Sequence, residues 1–218
     1  NFTVTGTTTV GGGASGSLNI TSATGVKTFT GLVTIATGAT WNNSGNSPVN
    51  FRGGITNGGT FTAGSGLHTF TTSNQAVSGI LPIPNLDSDV ILTNNGTLTV
   101  NTSLSGTGTI LKGASSTLNI GGALSITTID ALASANTVVY QGANQTLYPI
   151  TYQNLTINQS GGQAFAGGNF VVDGILNLAN RNLNLIGSNT LTLGPSATMA
   201  GSPFSSSKMI IATTGSEV

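Results

Sequence analysis

The feature that most constrains this chain is a short strand motif that recurs along its length. Each copy reads polar, apolar, polar, apolar, as in Thr97-Leu98-Thr99-Val100, Thr117-Leu118-Asn119-Ile120 and Asn154-Leu155-Thr156-Ile157. Because successive side chains of an extended chain point to opposite faces, each copy predicts a short strand with one face inward and the other in water.

The spacing of the copies predicts how these strands are arranged. Leu98, Leu118 and Val138 are equally spaced along the chain, and further strand candidates lie between them at 109–111 and 123–126. One coil of this size cannot bury its apolar side chains until other coils stack on it. We therefore predict an all-β fold, a right-handed parallel β-helix (β-solenoid) with about 20 residues per coil. Ten or eleven coils are expected in a single continuous segment, residues 1–218, of a longer repeat protein.

A second, longer repeat supports the same architecture. The stretch 68–86 resembles the stretch 138–155, with His68 corresponding to Val138 and Leu86 to Leu155. The two copies share an Asn-Gln pair, Asn74-Gln75 and Asn144-Gln145, and an Asn-Leu pair that opens the next strand. A β-sandwich and a β-propeller are the all-β alternatives, but a propeller shows a blade signature every 40–50 residues or so, and neither explains the shorter period seen here.

The composition narrows the classes of partner. Charged residues make up 5% of the chain, against roughly 25% in a typical globular domain, and 36 Thr and 23 Asn supply neutral polarity instead. A nucleic-acid surface needs clustered Lys and Arg, and a membrane span needs about 18 consecutive apolar residues. The sequence has neither feature, so we expect no nucleic-acid partner and no membrane span.

One stretch carries a family resemblance. Asn136-Thr-Val-Val-Tyr140-Gln-Gly142-Ala-Asn144-Gln145-Thr146, followed by Tyr152-Gln-Asn154-Leu155-Thr156, resembles the repeated segments of large secreted surface proteins of Bacteroidetes-type bacteria. The similarity continues through 174–176 and 189–193 to the tail, 208–218. Such proteins are adhesin-like substrates of the type IX secretion system. The resemblance implies an extracellular, multi-repeat, surface-anchored protein without catalytic residues.

The inventory of reactive side chains argues against an enzyme. Polysaccharide lyases and hydrolases of the β-helix type need converging carboxylates, and this chain has five Asp and Glu in all. With one His and no Cys, zinc sites and catalytic triads are not expected. We predict no catalytic, cofactor-binding or metal-ligating residues and no cofactor.

Two acidic residues and the single histidine leave alternatives open. Asp87 and Asp89 are close enough in sequence to form part of a calcium site, but calcium takes six to eight oxygen ligands or so, and a solvated loop is the simpler interpretation. Whether a metal binds there stays open. His68 is expected at the surface or at a strand edge.

Aromatic side chains are the candidates for ligand stacking. Trp41, in Thr40-Trp41-Asn42-Asn43, and Tyr148 are the two candidate stacking residues. Tyr140 and Tyr152 stand where other copies of the motif carry Ile or Leu, so we expect them to pack in the core.

Thr-x-Thr pairs raise the alternative of an ice-binding face. They include Thr3/Thr5, Thr28/Thr30 and Thr107/Thr109. Ranks of outward Thr would be needed on one side of the solenoid, and the pairs occur at irregular offsets. The strand propensity of Thr is the simpler explanation.

Together these features predict a structural, non-catalytic segment of an extracellular rod or filament, in a cell-surface adhesin. A carbohydrate- or surface-binding adhesin module is the main alternative; a polysaccharide-acting enzyme and an ice-binding protein are less favoured. Asn1-Phe2-Thr3-Val4 and Met209-Ile210-Ile211-Ala212 read as strands, not caps. The expected partners are therefore further coils of the same chain, or a second copy stacked head to tail, with surface glycans as another candidate partner.

Overall fold

The computed structural model describes residues 1–13 and 15–213 and confirms the predicted fold class. The described residues contain β-strands and no helix, and the strands stack as a parallel β-solenoid of about nine turns, roughly 20 residues apart. The expectation of ten or eleven coils was too high, because several coils are longer than the predicted period. The right-handed sense of winding stays a prediction.

The strands are short, and most have three or four residues. In chain order they are β1 (Phe2–Val4), β2 (Thr8–Val10), β3 (Gly16–Asn19), β4 (Lys27–Phe29), β5 (Val33–Ile35), β6 (Ala39–Asn42), β7 (Val49–Phe51), β8 (Ile55–Asn57), β9 (Thr60–Thr62), β10 (Leu67–Phe70), β11 (Gln75–Ser78), β12 (Ile80–Pro82), β13 (Asn85–Ser88), β14 (Ile91–Asn94), β15 (Thr97–Val100), β16 (Ser103–Lys112), β17 (Thr117–Ile120), β18 (Ala123–Asp130), β19 (Thr137–Tyr140), β20 (Thr146–Leu147), β21 (Thr151–Tyr152), β22 (Asn154–Ile157), β23 (Ala164–Ala166), β24 (Phe170–Val172), β25 (Ile175–Leu178), β26 (Leu183–Leu185), β27 (Leu191–Leu193), β28 (Thr198–Ala200) and β29 (Ile210–Ala212).

The chain divides into two units. The first comprises Asn1–Leu111 and Ala123–Thr128, and the second comprises Lys112–Gly122 and Ile129–Val218. The prediction of one continuous segment over residues 1–218 stays a prediction. The end of the tail that carries the family resemblance, 214–218, lies outside the described residues.

In the first unit each coil contributes one strand to each of three walls. We call the wall of β1, β4, β7, β10 and β13 face A, and the wall of β2, β5, β8, β11 and β14 face B. The long strand β16 pairs with both β13 and β14 and so joins the two faces into one sheet. On the third wall β3, β6 and β9 pair in order, and β12 pairs with β15.

The coils of the first unit differ in length, yet their strands stay in register. Along face A, Thr3 pairs with Thr28 and Thr28 pairs with Asn50. Asn50 pairs in turn with Thr69, and Thr69 with Asp87. The sequence separation between partners shrinks at every step of this series, while the strands stay aligned. The extra residues of the longer coils therefore lie in the corners, where the chain turns between walls.

Close approach of consecutive coils requires glycine at particular corners. Gly79 has a φ of +83°, and a Cβ there would lie 1.9 Å from the carbonyl oxygen of Asn57, one coil earlier. The left-handed conformation and the missing side chain are both needed, so another residue would push the two coils apart.

Aromatic rings line the core of the first unit. Phe29, Phe51 and Phe70 stack one coil above another, with ring centroids 5.9 and 5.4 Å apart. Trp41 packs beside this column, 5.0 Å from Phe29 and 5.7 Å from Phe61. Each such buried aromatic or aliphatic side chain stabilises the fold by about 1.5–3 kcal/mol relative to its exposed state.

The second unit has the same design, with a mainly aliphatic core that also contains Tyr140, Tyr152 and Phe170. Its three ladders run β17-β19-β22-β25-β28, β20-β23-β26-β29 and β21-β24-β27, with parallel pairing in the registered ladders. The first ladder contains a column of four buried, inward-facing residues in register on consecutive coils: Leu118, Val138, Leu155 and Leu176. The direct pairing of Leu118 with Val138 confirms the coil spacing read from the sequence at this point.

Candidate functional site

Trp41 is not an exposed stacking residue, and this prediction was wrong. The side chain is wholly buried, in register between Leu18 and Phe61 on the third wall of the first unit. The physical reason is the alternation of β6, in which Ala39 and Trp41 face inward while Thr40 and Asn42 face outward. That signal was present in the sequence. The indole Nε1 has no hydrogen-bond acceptor, so the ring acts as core packing.

Tyr148 lies half-buried in the segment between β20 and β21, and two buried tyrosines fix its backbone. Its N–H donates to the hydroxyl of Tyr140 at 2.8 Å, and the hydroxyl of Tyr152 donates to its carbonyl oxygen. The two hydroxyls lie 3.0 Å apart. The structure confirms that Tyr140 and Tyr152 belong to the core, and burial raises the pKa of Tyr140 to about 12. Tyr148 therefore stays a candidate, as a half-buried residue whose backbone is hydrogen-bonded to two core tyrosines.

Asp87 and Asp89 are bonded to the following coil. The carboxylate of Asp87 accepts a hydrogen bond from the Ser105 hydroxyl at 2.6 Å. Asp89 accepts from both the N–H and the hydroxyl of Thr107, at 3.2 and 3.0 Å. Within the described ranges, no three His, Cys, Asp or Glu side chains are grouped so that they could hold a metal ion. The two carboxylates thus serve as links between coils.

His68 lies inside the first unit, so the expectation of a surface or strand-edge position was wrong. It is fully buried, in register between Val49 and Leu86. Its Nδ1 lies 2.9 Å from the carbonyl oxygen of Gly66, while Nε2 has no partner. Burial lowers the pKa of His68 to about 4, because a charged imidazole would lose its hydration there. At neutral pH the ring is therefore uncharged and packs against Phe51.

A buried lysine in the second unit was missed by the sequence analysis. Lys112 is 1% exposed, and its Nζ donates to the hydroxyl of Ser116 at 2.7 Å. That hydroxyl donates in turn to the carbonyl oxygen of Gly113. Burial lowers the pKa of Lys112 to about 7. The available signal was the alternation of β16, since Lys112 is two residues after the buried Ile110.

The Asn-Gln pairs of the longer repeat form side-chain hydrogen bonds to neighbouring coils, and we call these two sites, at Gln75 and Gln145, the corner clamps. The side chain of Gln75 accepts from Gly54 N–H and donates to the carbonyl oxygens of Phe51 and Thr71, at 2.8–2.9 Å. Asn74 accepts from Ile91 N–H in the next coil. In the second unit Gln145 likewise bonds Gly142 and Gly122, and Asn144 accepts from Gln163 N–H. The repeat therefore marks a corner that joins consecutive coils.

The outward side chains of the first unit form columns that the sequence offsets conceal. On face A the central column contains, in order, Thr3, Thr28, Asn50, Thr69, Asp87 and Ser105. On face B it contains Thr9, Thr34, Thr56 and then Ser78. From their irregular spacing in the sequence, the threonines of the Thr-x-Thr pairs are not expected to align. That inference was wrong for these columns, because corners of different length absorb the offsets.

Comparison with protein-family models, curated proteins and solved structures gives no significant match. Within residues 1–13 and 15–213, no helix has the length and apolarity that crossing a membrane requires. Faces A and B consist of columns of outward side chains in register. Such faces can present a regular surface to a partner, and the stacked coils behind them can transmit load.

Proposed function

We propose that this chain is a structural, non-catalytic segment of an extracellular, adhesin-like surface protein. The observation that carries the proposal is the in-register parallel pairing of coil after coil within each unit. Each coil is hydrogen-bonded to its neighbours through the backbone and packed on them through buried side chains, so stability accumulates along the repeat. Such a segment is suited to extend or display other parts of a protein.

The polar surface supports an extracellular setting. Outward positions of the strands carry mainly Thr, Ser and Asn, which remain soluble without charge. The resemblance of 136–156 to secreted Bacteroidetes-type repeat proteins points the same way, with type IX secretion as the proposed route of export. The corner clamps at Gln75 and Gln145 support a mechanical role, because each joins consecutive coils by side-chain hydrogen bonds.

Further coils are the proposed partners of the outermost strands. Phe2 is in register with the buried Lys27, and Met199 with the buried Leu176, yet Phe2 is 48% and Met199 43% exposed. Both side chains hold inward positions that a neighbouring coil would cover. More coils of the same protein, or a second copy stacked head to tail, would supply that coil and pair with the free strand edges.

The proposal is tested on the cells that make the protein. An antibody against the folded chain should label intact cells, and external protease should remove a flexible fusion tag while the solenoid epitope survives. The control is a cytosolic protein of the same cells, which must stay unlabelled until lysis. Labelling only after lysis, or an epitope as sensitive as the tag, contradicts the proposal.

A second candidate function is glycan binding at Tyr148, favoured by its half-buried position on a backbone held by hydrogen bonds to Tyr140 and Tyr152. A rigid aromatic face loses little entropy when a sugar stacks on it. Tyr148→Ala should abolish binding on a glycan array, whereas Trp41→Phe, a change in the core, should not alter it. Equal glycan binding by the Tyr148→Ala variant and the parent would eliminate this candidate.

A further inference from the structure

Face B of the first unit presents an unbroken column of hydroxyl groups. Thr9, Thr34 and Thr56 occupy the same register position on β2, β5 and β8, and Ser78 continues the column on β11. Neighbouring strands lie about 4.8 Å apart, so the backbone positions that carry the hydroxyls repeat at that interval along the axis. The hydroxyl of Ser78 donates a hydrogen bond to the hydroxyl of Thr56 at 3.3 Å. Threonine is restricted at χ1, which holds each methyl and hydroxyl in a fixed direction.

The adjacent outward column on face B is uncharged as well. The residues two positions before the hydroxyl column are Thr7, Leu32, Gly54 and Ala76. Backbone hydrogen bonds from Thr8 to Leu32 and from Val33 to Gly54 place the first three on consecutive coils. Within one strand, positions two residues apart are separated by about 6.7 Å. The two columns together make an uncharged grid of hydroxyl, methyl and other aliphatic groups, in which Leu32 is exposed and Gly54 is buried.

Face A differs from face B in charge. Its column contains Asp87, and the outward positions two residues further along the strands bring in Arg52 and Asp89. Charged groups orient water around themselves and break the regularity of a hydration layer. Of faces A and B, only face B therefore presents a neutral grid in these columns. The third wall carries a shorter neutral pair of columns, Ser17, Thr40 and Thr60 beside Asn19, Asn42 and Thr62. Face B differs from the third wall by its longer run of hydroxyl-bearing side chains.

We propose that face B binds ice. Its hydroxyls, carried on backbone positions at the strand repeat, hold water molecules, and the methyl and other aliphatic groups between them leave the remaining water to bond to its own neighbours. The resulting layer has a regular spacing close to that of oxygen atoms in a face of hexagonal ice. An insoluble polysaccharide fits less well, because neither column carries an aromatic ring for stacking and Trp41 is buried.

A matched pair of substitutions tests this proposal. Thr34 and Thr28 are each the central, outward residue of a three-residue strand between two buried residues, on face B and face A respectively. The parent chain should inhibit ice recrystallisation and partition into growing ice. Thr34→Lys should reduce this activity by about tenfold or more, as expected for losing one essential contact, and Thr28→Lys should leave it within about twofold.

Circular dichroism and thermal melts establish that each variant is folded. If Thr34→Lys fails to fold, Thr9→Lys and Thr56→Lys replace it, since both residues are exposed in the same column. No activity in the parent chain overturns the proposal, as does equal loss in Thr28→Lys. Binding to an insoluble polysaccharide that depends on Thr34, without ice activity, also overturns it. None of these outcomes bears on the cell-surface test of the structural role.

Discussion

Two basic side chains, Lys112 and His68, lie inside the structure, where burial favours their uncharged forms. Burial lowers the pKa of Lys112 to about 7 and that of His68 to about 4. Each group binds a proton more weakly in the folded state than in the unfolded state. Protonation therefore costs stability, and raising the pH recovers it.

The lowered pKa of Lys112 predicts that the folded chain becomes more stable above neutral pH. Between pH 7 and 10.5, the unfolded chain binds more protons at Lys112 than the folded chain does. The free energy of unfolding should therefore rise by up to about 1.4 kcal/mol per pH unit. Urea titrations at about pH 7.5 and 9.5 measure this rise. Lys112→Met should abolish it and should be more stable than the parent at pH 7.5; an unchanged pH slope in the variant contradicts this account.

Removing the buried Trp41 side chain is expected to cause a large loss of stability. Trp41→Ala removes a wholly buried ring that contacts Phe29, Phe51 and Phe61, and should lower the free energy of unfolding by about 3–5 kcal/mol. The half-exposed Tyr148→Ala is the comparison, with a smaller expected loss. Equal unfolding midpoints for the Trp41→Ala chain and the parent would mean that the ring is not in the core.

At the scale of the elements, the lengths of the corners determine which residues are paired on neighbouring strands. The sequence separation between paired residues of face A decreases along the first unit, from the pair Thr3–Thr28 to the pair Thr69–Asp87, while the strands themselves keep their register. Local alternation predicts which side of a strand faces inward, and it correctly placed Tyr140 and Tyr152 in the core. It does not reveal corner length, and the column of threonines on face B therefore could not be read from spacing.

Residue type outweighed the local pattern at the two misplaced residues. His68 lies on the same side of β10 as Phe70, two residues later, and corresponds to the apolar Val138 of the longer repeat, so its inward direction could be predicted from the sequence. Trp41 was interpreted by its residue type, although the pattern of β6 already indicated burial. The Asn-Gln pairs were recognised as a repeat, but their bonds to preceding and following coils appear only once the coils are stacked.

Gln75 provides the test at the level of a corner. Gln75→Ala leaves the N–H of Gly54 and the carbonyl oxygens of Phe51 and Thr71 without this partner. The free energy of unfolding should fall by about 1–3 kcal/mol, since the buried N–H of Gly54 loses its partner, whereas the carbonyl oxygen of Phe51 still accepts from the N–H of Thr71. Gln163→Ala, at an exposed position, is the control and should change little. Chemical denaturation of both variants measures the difference, and equal stabilities would rule out the clamp.

At the scale of the whole molecule, residues at equivalent positions of consecutive coils lie in register and form columns. The columns inside each unit supply the core, and the columns outside supply the faces on which the proposed structural and ice-binding roles depend. The fold class, the parallel stacking and the approximate coil length were predictable because each coil repeats the same local alternation. The character of each face was not, because it depends on which residues the corners bring together.

Engineered disulfides test the register of these columns most directly, and the chain has no native cysteine to interfere. Thr34 and Thr56 are paired on face B, at the strand spacing of about 4.8 Å that a disulfide can bridge. Thr28 lies on face A, on a different wall from Thr56. After mild oxidation, mass spectrometry should find an intramolecular disulfide in the Thr34→Cys/Thr56→Cys variant and none in Thr28→Cys/Thr56→Cys. Equal cross-linking in the two variants, or none in the first, would contradict the column register.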